Sequence, residues 1–314
     1  MQQECFDFQG KKILIILNPV ACHGTAASIL PEIEQRFGEK DLTFDVAKTK
    51  AARHATELAQ DASADYDVII SVGGDGTAHE VAHGILNANG GDGSGPVFGV
   101  IPIGSGNDFS RTLGMFGDES TRVQRLLSCK EVLFDAGTCN GEHFIETFSI
   151  GLDANIANRT IYLREHGSTL KNTPLYLRAA LDVFTKFYDP IELEIEQDGE
   201  RYSKNCLIFA CQIGPSYGGG FPIALEAKPD DGLFDTISAP YVSRRVALPL
   251  FLQVMQGKHA NRTDVLDFRT CKHLHLKADH VLTGQLDGEP WAFDEFDLQI
   301  IPRAIKVLAY PQLP

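Results

Sequence analysis

The 314-residue chain has 28 Lys and Arg against 42 Asp and Glu, a formal charge of −14, which argues against nucleic-acid binding and against a strongly electrostatic hold on an anionic membrane. Hydrophobic content of 43% and charged content of 22% are those of an ordinary globular protein, and the length suits one large or two medium domains. Apolar stretches are too short to cross a bilayer, Met1-Gln2-Gln3-Glu4-Cys5 lacks the apolar core of a secretory signal, and seven cysteines without a Cys-x-x-Cys point to a reduced, cytoplasmic protein.

Lys11 to Leu17 begins basic and continues as an apolar run, the pattern of a buried parallel strand. Asn18-Pro19-Val20-Ala21-Cys22-His23-Gly24 reads as a loop. Thr25 is suited to cap the next helix, Ile29, Ile33 and Phe37 recur along it, and Gly38 closes it. Leu42 to Ala47 reads as a second strand, and Thr49 precedes an alanine-rich helix carrying Ala52, Ala55 and Ala59. A third strand, Tyr66–Val72, runs into Gly73-Gly74-Asp75-Gly76-Thr77. Thr77 and Glu80 have capping-box spacing, which predicts a helix starting there and reaching about Asn87. After the loop from Asn89 to Pro96, a fourth strand, Val97–Ile103, ends in Gly104-Ser105-Gly106-Asn107-Asp108-Phe109, and a helix follows around Arg122–Ser128. Strands alternating with helices predict a doubly wound α/β domain over residues 1–132, with ligands at the carboxyl ends of its strands.

Beyond that boundary the pattern changes. Val132–Cys139 and His143–Ile150 flank the hairpin signal Asn140-Gly141. Thr173-Pro174 opens an amphipathic helix with Leu177, Leu181 and Phe184 on one stripe. Ile191, Leu193 and Ile195 alternate with acidic residues before Asp198-Gly199 turns into a long strand, Tyr202–Ile213. Phe234–Ala239, Cys271–Lys277 and Asp297–Ile301 read as further strands, with His273 and His275 on one solvated face. Residues 133–302 should form a predominantly antiparallel β domain, with 303–314 packing back on the first domain.

Both glycine junctions follow strands and precede helices, the arrangement that lets backbone approach phosphate oxygens. Neither is a P-loop, and Gly104-Ser105-Gly106 lacks the third glycine of the dinucleotide fingerprint. Asp75 sits within the first, and a carboxylate beside phosphates is repulsive unless it binds Mg²⁺ or accepts a proton. Gly73-Gly74-Asp75-Gly76-Thr77 resembles the signature shared by diacylglycerol, sphingosine and NAD kinases and phosphofructokinases. Asn18-Pro19 with Gly24, and the stretch Pro102 to Phe109 with Ser105 where threonine is usual, resemble that group's nucleotide loops. Tyr217-Gly218-Gly219-Gly220, Ala227 with Asp231-Gly232-Leu233, and Asp287-Gly288-Glu289 resemble motifs of the bacterial soluble lipid kinases.

The resemblance implies an N-terminal nucleotide-binding α/β domain of NAD kinase/diacylglycerol kinase type, a C-terminal β-sandwich lipid-acceptor domain, and an ATP- and Mg²⁺-dependent kinase. It places ATP phosphates at Gly73, Gly74, Gly76 and Thr77, with Asn18, Thr49, Gly104, Ser105 and Asn107 completing the nucleotide pocket. Asp75 would work with Mg²⁺ and the transferred phosphate, Glu289 or else Asp287 would be the base, and Asp231 would hold a structural Mg²⁺. The bland readings are a hairpin turn at Asp287-Gly288 and a type I turn at Asp230-Asp231-Gly232. Diacylglycerol is the first acceptor; a sphingoid base, phosphatidylglycerol and NAD are alternatives. A non-catalytic lipid-binding protein is another reading, disfavoured by retention of Asp75 with Glu289.

His79-Glu80-Val81-Ala82-His83 is a literal His-Glu-x-x-His, the zinc-hydrolase arrangement, with histidine at 79 where the family often has asparagine. It lacks the extended third-ligand motif, since Leu86 and Asn89 stand there, and the capping box already accounts for Glu80. The expected protein acts from the cytoplasm, docks transiently on a membrane through exposed apolar residues such as Phe221 and the Val246–Met255 helix, and could pair as a homodimer.

Overall fold

The computed structural model describes residues 5–24, 26–104, 106–170 and 172–311. The chain divides into two compact units, Met1–Ala136 with Ile301–Pro314, and Gly137–Ile300.

The first unit runs β1 (Ile13–Leu17), α1 (Ala21–Gly24), a 3₁₀ turn (Ala26–Ile29), α2 (Leu30–Gly38), β2 (Asp45–Lys48), α3 (His54–Ala62) and β3 (Val68–Gly73). It continues through α4 (Asp75–Asn89), β4 (Val97–Pro102), α5 (Asp108–Thr112), a 3₁₀ turn (Glu119–Thr121), α6 (Arg122–Leu126) and most of β5 (Lys130–Cys139). The strands are parallel in the order β2-β1-β3-β4, and the returning chain adds Val307 beside Phe98. β1 and β3 are buried along their whole length, so their unbroken Val and Ile runs are what a doubly wound layer requires. The order reverses between β1 and β3, and such a switch point opens a crevice outside the strands' carboxyl ends.

Several local expectations change. Thr25 lies outside the described residues, and α2 starts from Ile29 with no side-chain cap. Gly38 does not close α2 in a left-handed conformation; Asp41 does so three residues on, at φ 54°, while Leu42 N–H donates to the Phe37 carbonyl. Ala52 precedes α3, and Ala55 and Ala59 are buried against α4. There Gly84 lets the helices touch, because a Cβ on it would lie 2.4 Å from the Thr56 carbonyl oxygen and 2.9 Å from Ala59 Cβ. Replacing a mid-helix glycine by alanine ordinarily stabilises by up to about 1 kcal/mol. Here Gly84→Ala is expected to destabilise by about 1–3 kcal/mol, read as a lower urea midpoint. A raised midpoint would show that α3 and α4 separate freely.

The second unit adds β6 (Glu142–Phe144), β7 (Thr147–Gly151), α7 (Leu152–Glu165), α8 (Asn172–Lys186), β8 (Ile191–Gln197), β9 (Glu200–Gln212), β10 (Ser216–Tyr217) and β11 (Phe221–Pro222). It ends with β12 (Phe234–Pro240), α9 (Arg244–Met255), β13 (Asp267–Cys271), β14 (His273–Leu286) and β15 (Glu289–Ala309). The pairings among β6–β9 and β12–β14 are antiparallel, as is that of β14 with β15. β7 and β8 each bridge β9 and β14, so the sheet folds over a core that includes Phe144, Phe148, Phe209, Phe234 and Phe296. Asn140-Gly141, Asp198-Gly199 and Asp287-Gly288 all have positive φ, the two-residue hairpin geometry that their sequences predict.

The expected strand His143–Ile150 is two strands, because Ile145 and Glu146 turn their N–H groups to the Asp287 carboxylate. On α8, Phe184 is buried but Leu177 and Leu181 face solvent; Leu175, Ala179 and Val183 make the buried stripe. His273 and His275 do face solvent, bonded across to Asp297 at 2.6 Å and Glu295 at 2.7 Å.

Candidate active site

The predicted nucleotide residues gather at the carboxyl edge of the parallel sheet. Asn18 follows β1 and donates its N–H to Val72 O at 3.0 Å, while Thr49 follows β2 and donates to Leu17 O at 2.9 Å. Gly73 ends β3, and Ile103 N–H, just past β4, reaches its carbonyl at 2.7 Å. Asn18 Nδ2 also donates to Thr77 Oγ1 at 3.1 Å, tying the first loop to the first turn of α4.

The two glycine junctions form one structure. Gly74 and Gly104 meet backbone to backbone: a Cβ on Gly104 would lie 2.5 Å from Gly74 Cα. Asn107, left-handed at φ 54°, bridges its own loop by accepting from Gly104 N–H at 2.9 Å and donating to Gly104 O at 2.8 Å. Asp75 clamps the loops together. Its Oδ2 accepts from Asn107 N–H at 2.6 Å and its Oδ1 from Asp108 N–H at 2.7 Å. Burial and the neighbouring Asp108 nevertheless push its carboxyl up to about 7, against the charge-stabilising effect of those N–H groups. The first turn of α4, from Asp75 to Thr77, keeps N–H groups without intrahelical acceptors, so it presents donors and a positive dipole end. Ser105 lies outside the described residues.

The capping box does not form. Gly74 is the N-cap of α4, and the Glu80 carboxylate accepts from Arg53 N–H at 2.9 Å and Ala55 N–H at 3.1 Å, capping α3 instead.

In the second unit the candidate bases have different surroundings. Asp287 is buried, and its carboxylate accepts 2.9 Å bonds from the N–H groups of Ile145, Glu146 and Thr147. Glu289, two residues on, is exposed at the start of β15. The turn is held further by Gly288 N–H, which donates to Gln285 Oε1 at 2.6 Å, while Gln285 Nε2 donates to Ser149 Oγ at 2.8 Å.

Residues 12–139 match the diacylglycerol kinase catalytic domain family, and residues 146–309 match the YegS C-terminal NAD kinase beta sandwich-like domain. The chain belongs to the diacylglycerol kinase/YegS-like lipid kinases. It is 26% identical to the diacylglycerol kinase of Bacillus subtilis over 89% of this chain and 90% of that one. A YegS-like lipid kinase of Chromohalobacter salexigens is 27% identical over 90% of each chain. The fold resembles the crystal structure of a diacylglycerol kinase from Bacillus anthracis, with a TM-score of 0.73 at 19% identity, covering 97% and 99% of the two chains.

The protein is therefore a lipid kinase, and no helix among its described residues is long and apolar enough to cross a membrane. Among the described residues the zinc reading finds no ligand set. The His79 and His83 rings stack at 6.2 Å, His83 Nε2 bonds the Asn87 amide at 2.9 Å, and Glu80 serves α3. Burial, with smaller contributions from His79 and Arg53, pushes His83 down to about 4. Among the described residues no group of three or more His, Cys, Asp or Glu is arranged to hold a metal ion. Asp231 is exposed and accepts from Leu233 N–H at 3.1 Å, as a turn aspartate does. Burial, then the charges of Asp231 and Glu226, push nearby Asp235 up to about 6.

Two site residues carry little sequence signal. Asp108 adjoins Asp75 but looks like an ordinary helix-start acid. Asp153 opens α7, is buried, and accepts from Tyr217 Oη at 2.6 Å. Burial pushes Asp153 up to about 6 from 3.8. The folded protein then binds more protons than the unfolded one in that window, so stability falls as pH rises through it, by about 3 kcal/mol in all. Asp153→Asn should flatten this fall in urea unfolding compared at about pH 4 and about pH 7. Equal pH slopes in the two proteins would remove Asp153 as its source.

Proposed function

We propose that the protein transfers the γ-phosphoryl group of ATP, with Mg²⁺, to the hydroxyl of diacylglycerol. The observation that carries this reading is the closure of two glycine junctions on each other through Asp75, at the carboxyl edge of the parallel sheet in a chain that belongs to a lipid kinase family. Gly73, Gly74, Gly76 and Thr77 offer N–H donors to the phosphates, and Asn18, Thr49, Gly104 and Asn107 line the nucleotide. Asp75 and Asp108 fit a divalent cation, because one would relieve the burial and repulsion that raise Asp75, and Mg²⁺ needs only one or two carboxylates beside phosphate oxygens. Bound there, Mg²⁺ would neutralise charge on the transferred phosphoryl group. Asp75 holds the two loops at fixed separation, and Glu289 takes the lipid hydroxyl proton as the oxygen attacks.

Relatives named diacylglycerol kinase make diacylglycerol the acceptor of choice. The test supplies radiolabelled ATP and Mg²⁺ with diacylglycerol, a sphingoid base, phosphatidylglycerol and NAD in parallel. Labelled phosphatidic acid supports the reading. Label in another acceptor corrects the substrate, and none in any lipid overturns lipid phosphorylation. The Asp231 site is a proposed structural Mg²⁺ position, read by a melting temperature that rises with Mg²⁺ in the wild type but not in Asp231→Ala.

A further inference from the structure

α8 and α9 touch through their inner faces. Phe184 on α8 stacks edge-on to Phe251 on α9 at 5.4 Å, with Ala247 in the same cluster, and Arg244 Nε donates to the Phe184 carbonyl at 2.7 Å. With these faces filled, the outer ones remain apolar. Leu181 is 58% and Leu248 51% exposed, and Leu177, Val246 and Leu252 face solvent with them. Between Val246 and Leu252, α9 has no polar residue at all. A helix that is apolar all round belongs in an apolar phase, yet this one is covered on one side only.

The charge beside these leucines opposes that of the chain. α8 and α9 carry Arg178, Lys186, Arg244 and Arg245 against Asp182 alone, so 4 − 1 = +3 in a protein of −14. Asp182 is also buried, pairing with Arg159 at 2.8 Å, Arg178 at 3.4 Å and Lys186 at 3.9 Å, so one carboxylate is shared among three cations and the surface stays net positive. Exposed leucines interspersed with arginine and lysine, on two helices in contact, have the composition of an interfacial element. Two copies meeting through this face would bring like charges together, whereas anionic headgroups would complement them.

We infer that the outer faces of α8 and α9 form the surface by which this protein docks on an anionic phospholipid bilayer, the leucines entering the acyl boundary and Arg178, Lys186 and Arg245 contacting headgroups. The net charge of the whole chain conceals this patch. The inference rests on the lipid-kinase reading for its purpose, but its test uses no ATP, so either can fail without the other.

Full-length protein is floated with vesicles of phosphatidylcholine alone and of equal phosphatidylcholine and phosphatidylglycerol. Expected is binding to the mixed vesicles that weakens with added salt. Leu248→Glu with Leu252→Glu should weaken it about a hundredfold. Arg178→Ala with Arg245→Ala should weaken binding to mixed vesicles about tenfold while leaving the weak binding to neutral ones unchanged. Both variants should keep the wild-type melting temperature. Equal vesicle binding by wild type and both variants would overturn the inference. So would sedimentation showing a wild-type dimer that the leucine variant makes monomeric, which would assign the face to a second copy of the chain.

Discussion

Asp75→Asn is expected to lower turnover roughly a thousandfold, or about 4 kcal/mol of transition-state stabilisation. The substitution keeps the shape but removes the charge and one of the two backbone bonds. An amide nitrogen would face either Asn107 N–H or Asp108 N–H, donor against donor, where the carboxylate now accepts both at 2.6 and 2.7 Å. Two consequences can be separated by kinetics. If Asp75 only ties the loops, the ATP KM rises and kcat is kept. If it also organises the metal and the moving phosphate, kcat and kcat/KM fall together. The second outcome is expected, with the melting temperature measured beside it to show that the sheet edge persists. Turnover within threefold of wild type would remove Asp75 from the chemistry.

Much of this site was legible because its elements are locally determined. Continuous apolar runs gave β1, β3 and β4, and the three Asn-Gly and Asp-Gly pairs gave hairpins whose central residues all take positive φ. What escaped depended on partners remote in sequence. Thr77 and Glu80 satisfy a local capping rule, but Gly74 provides the N-cap and Glu80 serves N–H groups of α3, 27 and 25 residues away. The α8 stripe was misassigned because leucine outranks alanine in any hydrophobic pattern. Ala179 and Ala180 instead lie in a cluster with Ile156 and Leu163 of α7, where small side chains let helices approach. Sequence also left the base open between Asp287 and Glu289, since both sit in one turn.

Their surroundings suggest different roles, which two substitutions test. Asp287 accepts from three backbone N–H groups at 2.9 Å, bonds that hold the start of β7 to the hairpin. A carboxylate already accepting three backbone hydrogen bonds is poorly placed to take a proton from substrate, whereas exposed Glu289 can present its carboxylate. Glu289→Gln is therefore expected to cut kcat roughly 10²–10⁴-fold with the melting temperature unchanged. Asp287→Asn should do the reverse. Its amide would turn a donor toward Ile145 N–H or toward the N–H groups of Glu146 and Thr147, costing about 1–3 kcal/mol of stability, with a smaller effect on kcat in the molecules that remain folded. The assignment inverts if Asp287→Asn abolishes turnover at wild-type stability while Glu289→Gln stays active. In the expected case the turn works as a lever: Asp287 anchors it to the β6–β7 connection, Gln285 fastens Gly288 N–H, and Glu289 is the free end that meets the hydroxyl.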